Sequence, residues 1–263
     1  MRILVTNDDG IHSPGLWSVA EALKSLGEVI VVAPDRDQSG ISAAMTLLAV
    51  VRAQEVPAQI EGVKAFSVEG TPGDCVILAT ETLVKEPFDL LVSGINQGAN
   101  YGLDVINSGT VGAAFHGYFR GIPSIAVSVA SLTNLHYDAA AQTTRWLAEA
   151  ISTSPMPSPL LLNVNLPNTA LDEIEQAQIT RLGPKAFLES VERGTNGRSE
   201  HFWIKHDRSI NSEPTEGTDR WAVRNKRISI TPIDLVFTDG QPSSAFEALA
   251  RELTAGLGLK KPD

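Results

Sequence analysis

Two aspartates stand side by side near the start of the chain, in M-R-I-L-V-T-N-D-D-G-I-H-S-P-G-L, where a short apolar run ends and a glycine follows. Adjacent carboxylates repel each other, and one is driven towards its protonated form unless a cation offsets the charge. A divalent cation does this, and oxygen donors select a hard ion such as Mg²⁺ or Mn²⁺. Asp8 and Asp9 are therefore candidate metal ligands and catalytic groups; a solvated turn or helix cap is the plainer reading. Three further polar segments could join them: A-P-D-R-D-Q-S-G (33–40), S-G-I-N-Q-G-A-N (93–100) and N-S-G-T-V (107–111). The Ser39 hydroxyl can complete a metal shell or donate to a phosphate, and Gly40 allows close backbone approach. Asn96 can supply a neutral carbonyl oxygen to the same ion or meet the phosphate. Ser108, Gly109 and Thr110 open a helix, whose free N–H groups, hydroxyls and dipole form an anion cradle. Routine N-capping would also account for them.

Other residues carry less. His12 lies beside the carboxylates and could shuttle protons. His116 falls off the apolar stripe of its helix and is expected at the surface. Cys75 has no basic neighbour in sequence and reads as a small buried residue. Asn100 is open between a turn and a site role, Gly94, Gly98 and Gly102 read as turn formers, and residues 71–74 as a helix cap or a pocket wall. No Cys/His cluster is present, which excludes a zinc-finger-type site.

Acidic residues outnumber basic ones 31 to 21, for a formal charge of −10 across 263 residues. Such a balance argues against broad nucleic-acid binding, which needs a basic surface. It leaves room for a small anionic ligand, because a bound cation inverts the sign of one site. A single cysteine forbids an internal disulfide, and no apolar run approaches the roughly 18 residues of a membrane helix. No signal peptide is evident, so a cytoplasmic home is expected.

The elements that must position these groups alternate. Ile3 to Thr6 reads as a buried strand; Ser13-Pro14 caps a helix carrying Leu16, Val19, Ala20, Leu23 and Leu26, with Gly27 as its stop. Val29 to Ala33 is a second strand. Thr71-Pro72 opens another helix, with Asp74 placed for a capping box. Phe88 to Val92 and Ile125 to Val129 are strands that flank a helix carrying Val111, Ala114, Phe115, Tyr118 and Phe119. A helix over Tyr137 to Ile151, a turn-rich 152–159 and a strand at Leu160 to Val164 follow. This order predicts a Rossmann-like, doubly wound, mostly parallel α/β sheet, with ligands beyond the carboxyl ends of its strands. The rhythm then changes. We expect a catalytic core over 1–180 and an irregular, β-rich extension over 181–263, with strand-like pieces such as His201 to Lys205 and a last helix near 244–257.

Taken together these residues resemble the SurE survival protein family of metal-dependent nucleoside-monophosphate phosphatases. The matching blocks run in order: N-D-D-G-I-H-S-P-G (7–15), A-P-x-x-x-Q-S-G (33–40), G-T-P-x-D-C-V (70–76), D-L-L-V-S-G-I-N-x-G-x-N (89–100), S-G-T-V-G-A-A (108–114), L-N-V-N-L-P (162–167), G-T-D (217–219) and S-I-T-P (229–232). The resemblance implies a Rossmann-like core with an extension exchanged between subunits, giving homodimers or homotetramers. It implies metal ligands at Asp8, Asp9, Ser39 and Asn96 and a phosphate loop at Ser108, Gly109 and Thr110. The implied activity is removal of phosphate from 5′- and 3′-nucleotides, with polyphosphate as a further substrate of some members. Where the family usually has Y-S-G-T-V, Asn107 replaces the tyrosine, and Phe115-His116 replaces a usual Arg-Glu pair.

The expected chemistry is in-line attack of water on the phosphoryl group. An aspartyl-phosphate route is the rival, but enzymes of that kind use a D-x-D spacing rather than adjacent carboxylates. A nucleoside hydrolase, which also places an aspartate-rich N-terminal loop around a divalent ion, is a second reading of the same residues. A non-catalytic metal and nucleotide sensor is a third.

Overall fold

The computed structural model describes residues 1–210 and 213–235, with backbone alone at 206–209; the helix expected near 244–257 lies outside them. In chain order the elements are β1 (Arg2–Thr6), α1 (Pro14–Leu23), β2 (Glu28–Pro34), β3 (Ala53–Val56), β4 (Lys64–Val68), α2 (Pro72–Leu78), β5 (Leu90–Gln97), α3 (Gly109–Tyr118), β6 (Ser124–Val129), α4 (Tyr137–Thr153), β7 (Leu161–Leu166), β8 (Gln176–Ile179), β9 (Phe187–Thr195), β10 (Glu200–Ser209), α5 (Asp219–Arg224) and β11 (Arg227–Pro232). The main sheet has the order β3-β4-β2-β1-β5-β6-β7-β11-β8, and β9 with β10 forms a separate antiparallel hairpin. From β4 to β7 every neighbouring pair is parallel. The expected Rossmann-like α/β class is thus observed.

Both sheet faces are covered, as a parallel sheet requires. Ile3 and Val5 of β1 pack on one side with Leu16, Val19 and Leu23 of α1 and Ala140 and Ala148 of α4. Leu4, between them in sequence, faces the other side with Val76 of α2 and Val111 and Ala114 of α3. The twofold alternation of a strand and the helical stripes meet directly here.

Local signals hold well at the helix starts. Thr71 and Asp74 form the full capping box. Ser108 caps α3 by accepting the N–H of Val111 at 3.2 Å. Ser13 occupies the N-cap position of α1 without a side-chain cap bond, and proline at the next position carries the start instead. That helix tightens into a 3₁₀ turn at Lys24–Leu26 before Gly27.

Two expectations need correction. The strand expected at 88–92 starts at Leu90 and runs to Gln97, so Ser93 to Gln97 are strand and not loop. β1 pairs with it as far as Ser93, and β6 alone pairs with Asn96 and Gln97, after a register shift between Ser93 and Asn96. His116 is buried and not at the surface. Its Nε2 lies 3.1 Å from the carbonyl of Ala43, because the long segment after β2 folds back over α3. Helical periodicity cannot register a cover of that kind. Finally, β3, β4, β8 and β11 carried no clear pattern. The boundary expected at residue 180 falls between β8 and β9, and β11 crosses it, inserting between β7 and β8.

Asp219 anchors the late part of the chain. It is fully buried, and its carboxylate accepts the N–H groups of Gly102 (2.6 Å), Gly183 (3.1 Å) and Arg220 (2.8 Å). Burial raises its pKa, and those bonds pull it back. Asp219→Ala strands N–H groups with no replacement partner. It is expected to lower stability by about 2–4 kcal/mol, seen as a reduced urea midpoint at unchanged slope.

Candidate active site

Along the parallel run the chain steps outward from β1 to β2 and β4, then returns to the other side of β1 for β5. The switch point of the sheet therefore lies between β1 and β5, where loops part and leave a crevice. The segment with Asp8 and Asp9 follows β1 directly, and Asn96 sits near the end of β5. Asn7 closes the turn after β1: its Nδ2 donates to the Gly10 carbonyl (3.0 Å) and its Oδ1 accepts the Gly10 N–H (3.2 Å). Gly10 has φ +95°, a conformation that favours glycine, and an added Cβ would lie 3.0 Å from the backbone of Arg36.

Asp8 is buried. Thr110 Oγ1 donates to its Oδ1 at 2.5 Å, and the Gln38 N–H donates to its carbonyl at 2.7 Å. A Cβ on Gly109 would lie 2.8 Å from both the Cβ and the Oδ2 of Asp8, so α3 can approach this carboxylate only with glycine there. Burial pushes the Asp8 carboxyl up to about 6, against the pull of Thr110, whose N–H and hydroxyl both bond it. Asp9 rises to about 7 through burial, then through the charges of Asp8 and Asp37, with one offsetting bond from the Gln97 N–H. Its Oδ2 is buried with no hydrogen-bond partner.

The neighbouring cavity has a volume of about 820 Å³. Asp8, Ser39, Gly40, Asn96 and Ser108 all line it, so the structure brings these expected site residues together. Asn96 donates through Nδ2 to the Gly98 carbonyl (2.8 Å), which orients the amide and leaves Oδ1 as its acceptor end. Asp9, Gly109 and Thr110 do not line the cavity. The Thr110 hydroxyl, expected in the anion cradle, is committed to Asp8 and fully buried; of the 108–110 loop, Ser108 faces the cavity. His12 is exposed. Asn100 also lines the cavity and is held by hydrogen bonds: its carbonyl accepts both Asn163 and Asn165, its N–H donates to Asn165, and its amide donates to Ser128.

An apolar part of the same cavity went unnoticed in the sequence. It is formed by Tyr101, Ala130, Leu132, Phe187 and Ile204, with Asp104 at its edge. The hairpin residues Phe187 and Ile204 lie far along the chain from the polar end, and no spacing announces them. Among the described residues no group of three or more His, Cys, Asp or Glu side chains is placed to hold a metal. A cation at Asp8 and Asp9 would thus rely on neutral oxygens as well, and Ser39 and Asn96 supply the types required.

Both carboxyls titrate above the ordinary 3.8. The folded chain then holds more protons than the unfolded one between about pH 4 and 7, so stability falls as pH rises through that window. In chelator, the urea midpoint is expected to be higher at about pH 5 than at about pH 8. Asp9→Asn should recover about 1–3 kcal/mol at the higher pH by removing one buried charge. A variant as pH-sensitive as the parent would contradict this origin.

Comparison with known proteins gives one answer throughout. The family model described as survival protein SurE matches residues 3–189. The protein named 5′-nucleotidase SurE from Dehalococcoides mccartyi (strain CBDB1) is 46% identical over 235 residues, covering 89% of this chain and 88% of the relative. The protein of the same name from Vibrio parahaemolyticus is 38% identical over 96% of this chain and 95% of the relative. The crystal structure of the SurE protein from Aquifex aeolicus superposes with a TM-score of 0.81 at 36% identity, covering 95% of this chain and all of that one. With its cavity at the switch point and its motifs in register over most of its length, this chain belongs to the SurE family.

Proposed function

We propose that the chain is a metal-dependent 5′-nucleotidase, a phosphomonoesterase that converts nucleoside 5′- and 3′-monophosphates to nucleoside and phosphate and also trims short polyphosphate. The observation that carries this reading is the adjacent Asp8–Asp9 pair: Asp8 is buried and lines the cavity, and Asp9 is half-buried beside it with a buried Oδ2 that has no hydrogen-bond partner. The names of its relatives support the nucleotide as substrate. The donor chemistry fits Mg²⁺ or Mn²⁺: two carboxylates, the Ser39 hydroxyl and the Asn96 carbonyl would hold the ion. Bound there, it would neutralise the pair, polarise the phosphoryl group and make water a stronger nucleophile at neutral pH.

The residues of the chain divide the remaining work. Thr110 keeps the Asp8 carboxylate oriented and favours its ionised form through two bonds. Ser108 accepts the Val111 N–H through its oxygen, which leaves its hydroxyl proton for a phosphate oxygen. The positive end of α3 lies at Asp8 and favours negative charge there. Ser39 and Gly40 are exposed at the cavity and can close on the phosphate. Water attacks phosphorus, the ester P–O bond breaks, and the leaving alkoxide takes a proton.

Assembly into homodimers or homotetramers belongs to the same proposal. Val191, Phe202, Trp203 and Ile204 of the hairpin are exposed apolar side chains that a second copy would cover. The single cysteine, which is buried, suits a reducing cytoplasm.

Purified protein with Mn²⁺ or Mg²⁺ is expected to release inorganic phosphate from nucleoside monophosphates, and chelator is expected to abolish the release. Asp8→Asn should lower kcat/KM by about a hundredfold or more. Release of ribose instead would favour a nucleoside hydrolase, and a trapped labelled aspartyl-phosphate would overturn attack by water. No phosphate from the parent, with an indistinguishable Asp8→Asn, would leave the sensor reading.

A further inference from the structure

Asp104 has no part in the chemistry described so far. It lies in the short 3₁₀ turn Gly102–Ile106 between β5 and α3 and is buried at the edge of the cavity. Its Oδ2 accepts two successive backbone N–H groups from the start of the hairpin, Ala186 (2.9 Å) and Phe187 (3.2 Å). A carboxylate that accepts backbone N–H groups makes stronger and shorter bonds than a neutral acceptor. This contact joins positions 82 residues apart in the chain. Phe187, the first residue of β9, packs with Tyr101, Ala186 and Val223 in a small apolar cluster. Phe187 is also one of the residues that line the cavity.

We propose that Asp104 is a positioning residue for the nucleoside half of the substrate: it fixes the root of the hairpin so that Phe187 stands as the face on which the nucleobase rests. This rests on the nucleotidase reading above and adds to it the group that recognises the base. Three observations meet here. The cavity has one polar end, where the phosphate belongs, and its apolar part holds two aromatic side chains, Tyr101 and Phe187. Flat aromatic faces stack on any base without reading its edge. The hairpin supplies Phe187 from outside the parallel sheet, so its placement depends on contacts such as that of Asp104.

The test compares AMP with ribose 5-phosphate, which carries the same phosphoester without a base. Asp104→Ala and Phe187→Ala are each expected to raise the ratio of KM for AMP to KM for ribose 5-phosphate about tenfold, with the kcat for AMP within about twofold. The double variant should be no worse than Phe187→Ala alone, because Asp104 acts through that ring. Asp104→Asn keeps one acceptor oxygen and should fall between parent and Asp104→Ala. Phe187→Ala and Asp104→Asn carry the test if Asp104→Ala does not fold by circular dichroism. An unchanged ratio in Asp104→Ala, an equal rise for both substrates, or additive effects in the double variant would overturn the proposal alone. A parent that cleaves neither substrate would overturn the nucleotidase reading, and this proposal with it.

Discussion

Two carboxylates cannot be buried together at the end of a strand unless their surroundings answer the charge, and much of this molecule is arranged around that constraint. Lost solvation pushes Asp8 up to about 6, and lost solvation with the charges of Asp8 and Asp37 pushes Asp9 up to about 7. The protein answers only in part. Thr110 gives Asp8 its hydroxyl and its N–H, while Gln97 gives Asp9 an N–H, and one oxygen of Asp9 is left without a partner. A fully answered pair would be a structural device. A partly answered one, beside a cavity with neutral oxygens, is what the proposed cation site requires.

That constraint explains details otherwise unconnected. Gly109 must lack a side chain so that α3 can approach Asp8. The parallel sheet must place β5 next to β1, because Gln97 and Asn96 come from β5 while the aspartates follow β1. The loop after β2 is tied to the same point by the Gln38 N–H on the carbonyl of Asp8. Three segments distant in sequence thus converge on the Asp8–Asp9 pair. Asn100, Asn163, Asn165 and Ser128 then brace the segment following β5 from beneath, with hydrogen bonds of 2.8 to 3.0 Å that satisfy buried backbone groups.

The sequence disclosed whatever is decided over a few residues. The capping box of α2, the proline starts, the buried strands β1, β2, β6 and β7, and the grouping of Asp8, Ser39, Asn96 and Ser108 all rest on local pattern or on loops that follow strands. It hid what is decided across the fold. β5 is longer than its apolar pattern because β6 goes on pairing with it at Asn96 and Gln97, beyond the point where β1 ends. His116 is buried by a loop that begins some seventy residues earlier in the chain. Thr110 looked like a donor to a ligand, since a helix start with a hydroxyl fits either a phosphate or a carboxylate. Only the position of Asp8 tells which.

The apolar part of the cavity follows a different logic from the polar end. The polar end is built at the carboxyl ends of adjacent strands and the start of α3, where the sheet fixes its parts in relation to one another. Phe187 and Ile204 come from a two-stranded hairpin that shares no ladder with the main sheet. A hairpin of two strands is marginal on its own, so its position follows from what grips its root. Here the grip is the carboxylate of Asp104 on the N–H groups of Ala186 and Phe187, together with the small cluster around Tyr101 and Val223. On the proposed reading, chemistry on the phosphate and recognition of the rest of the substrate rest on separate supports, and Asn107 lines the cavity they share.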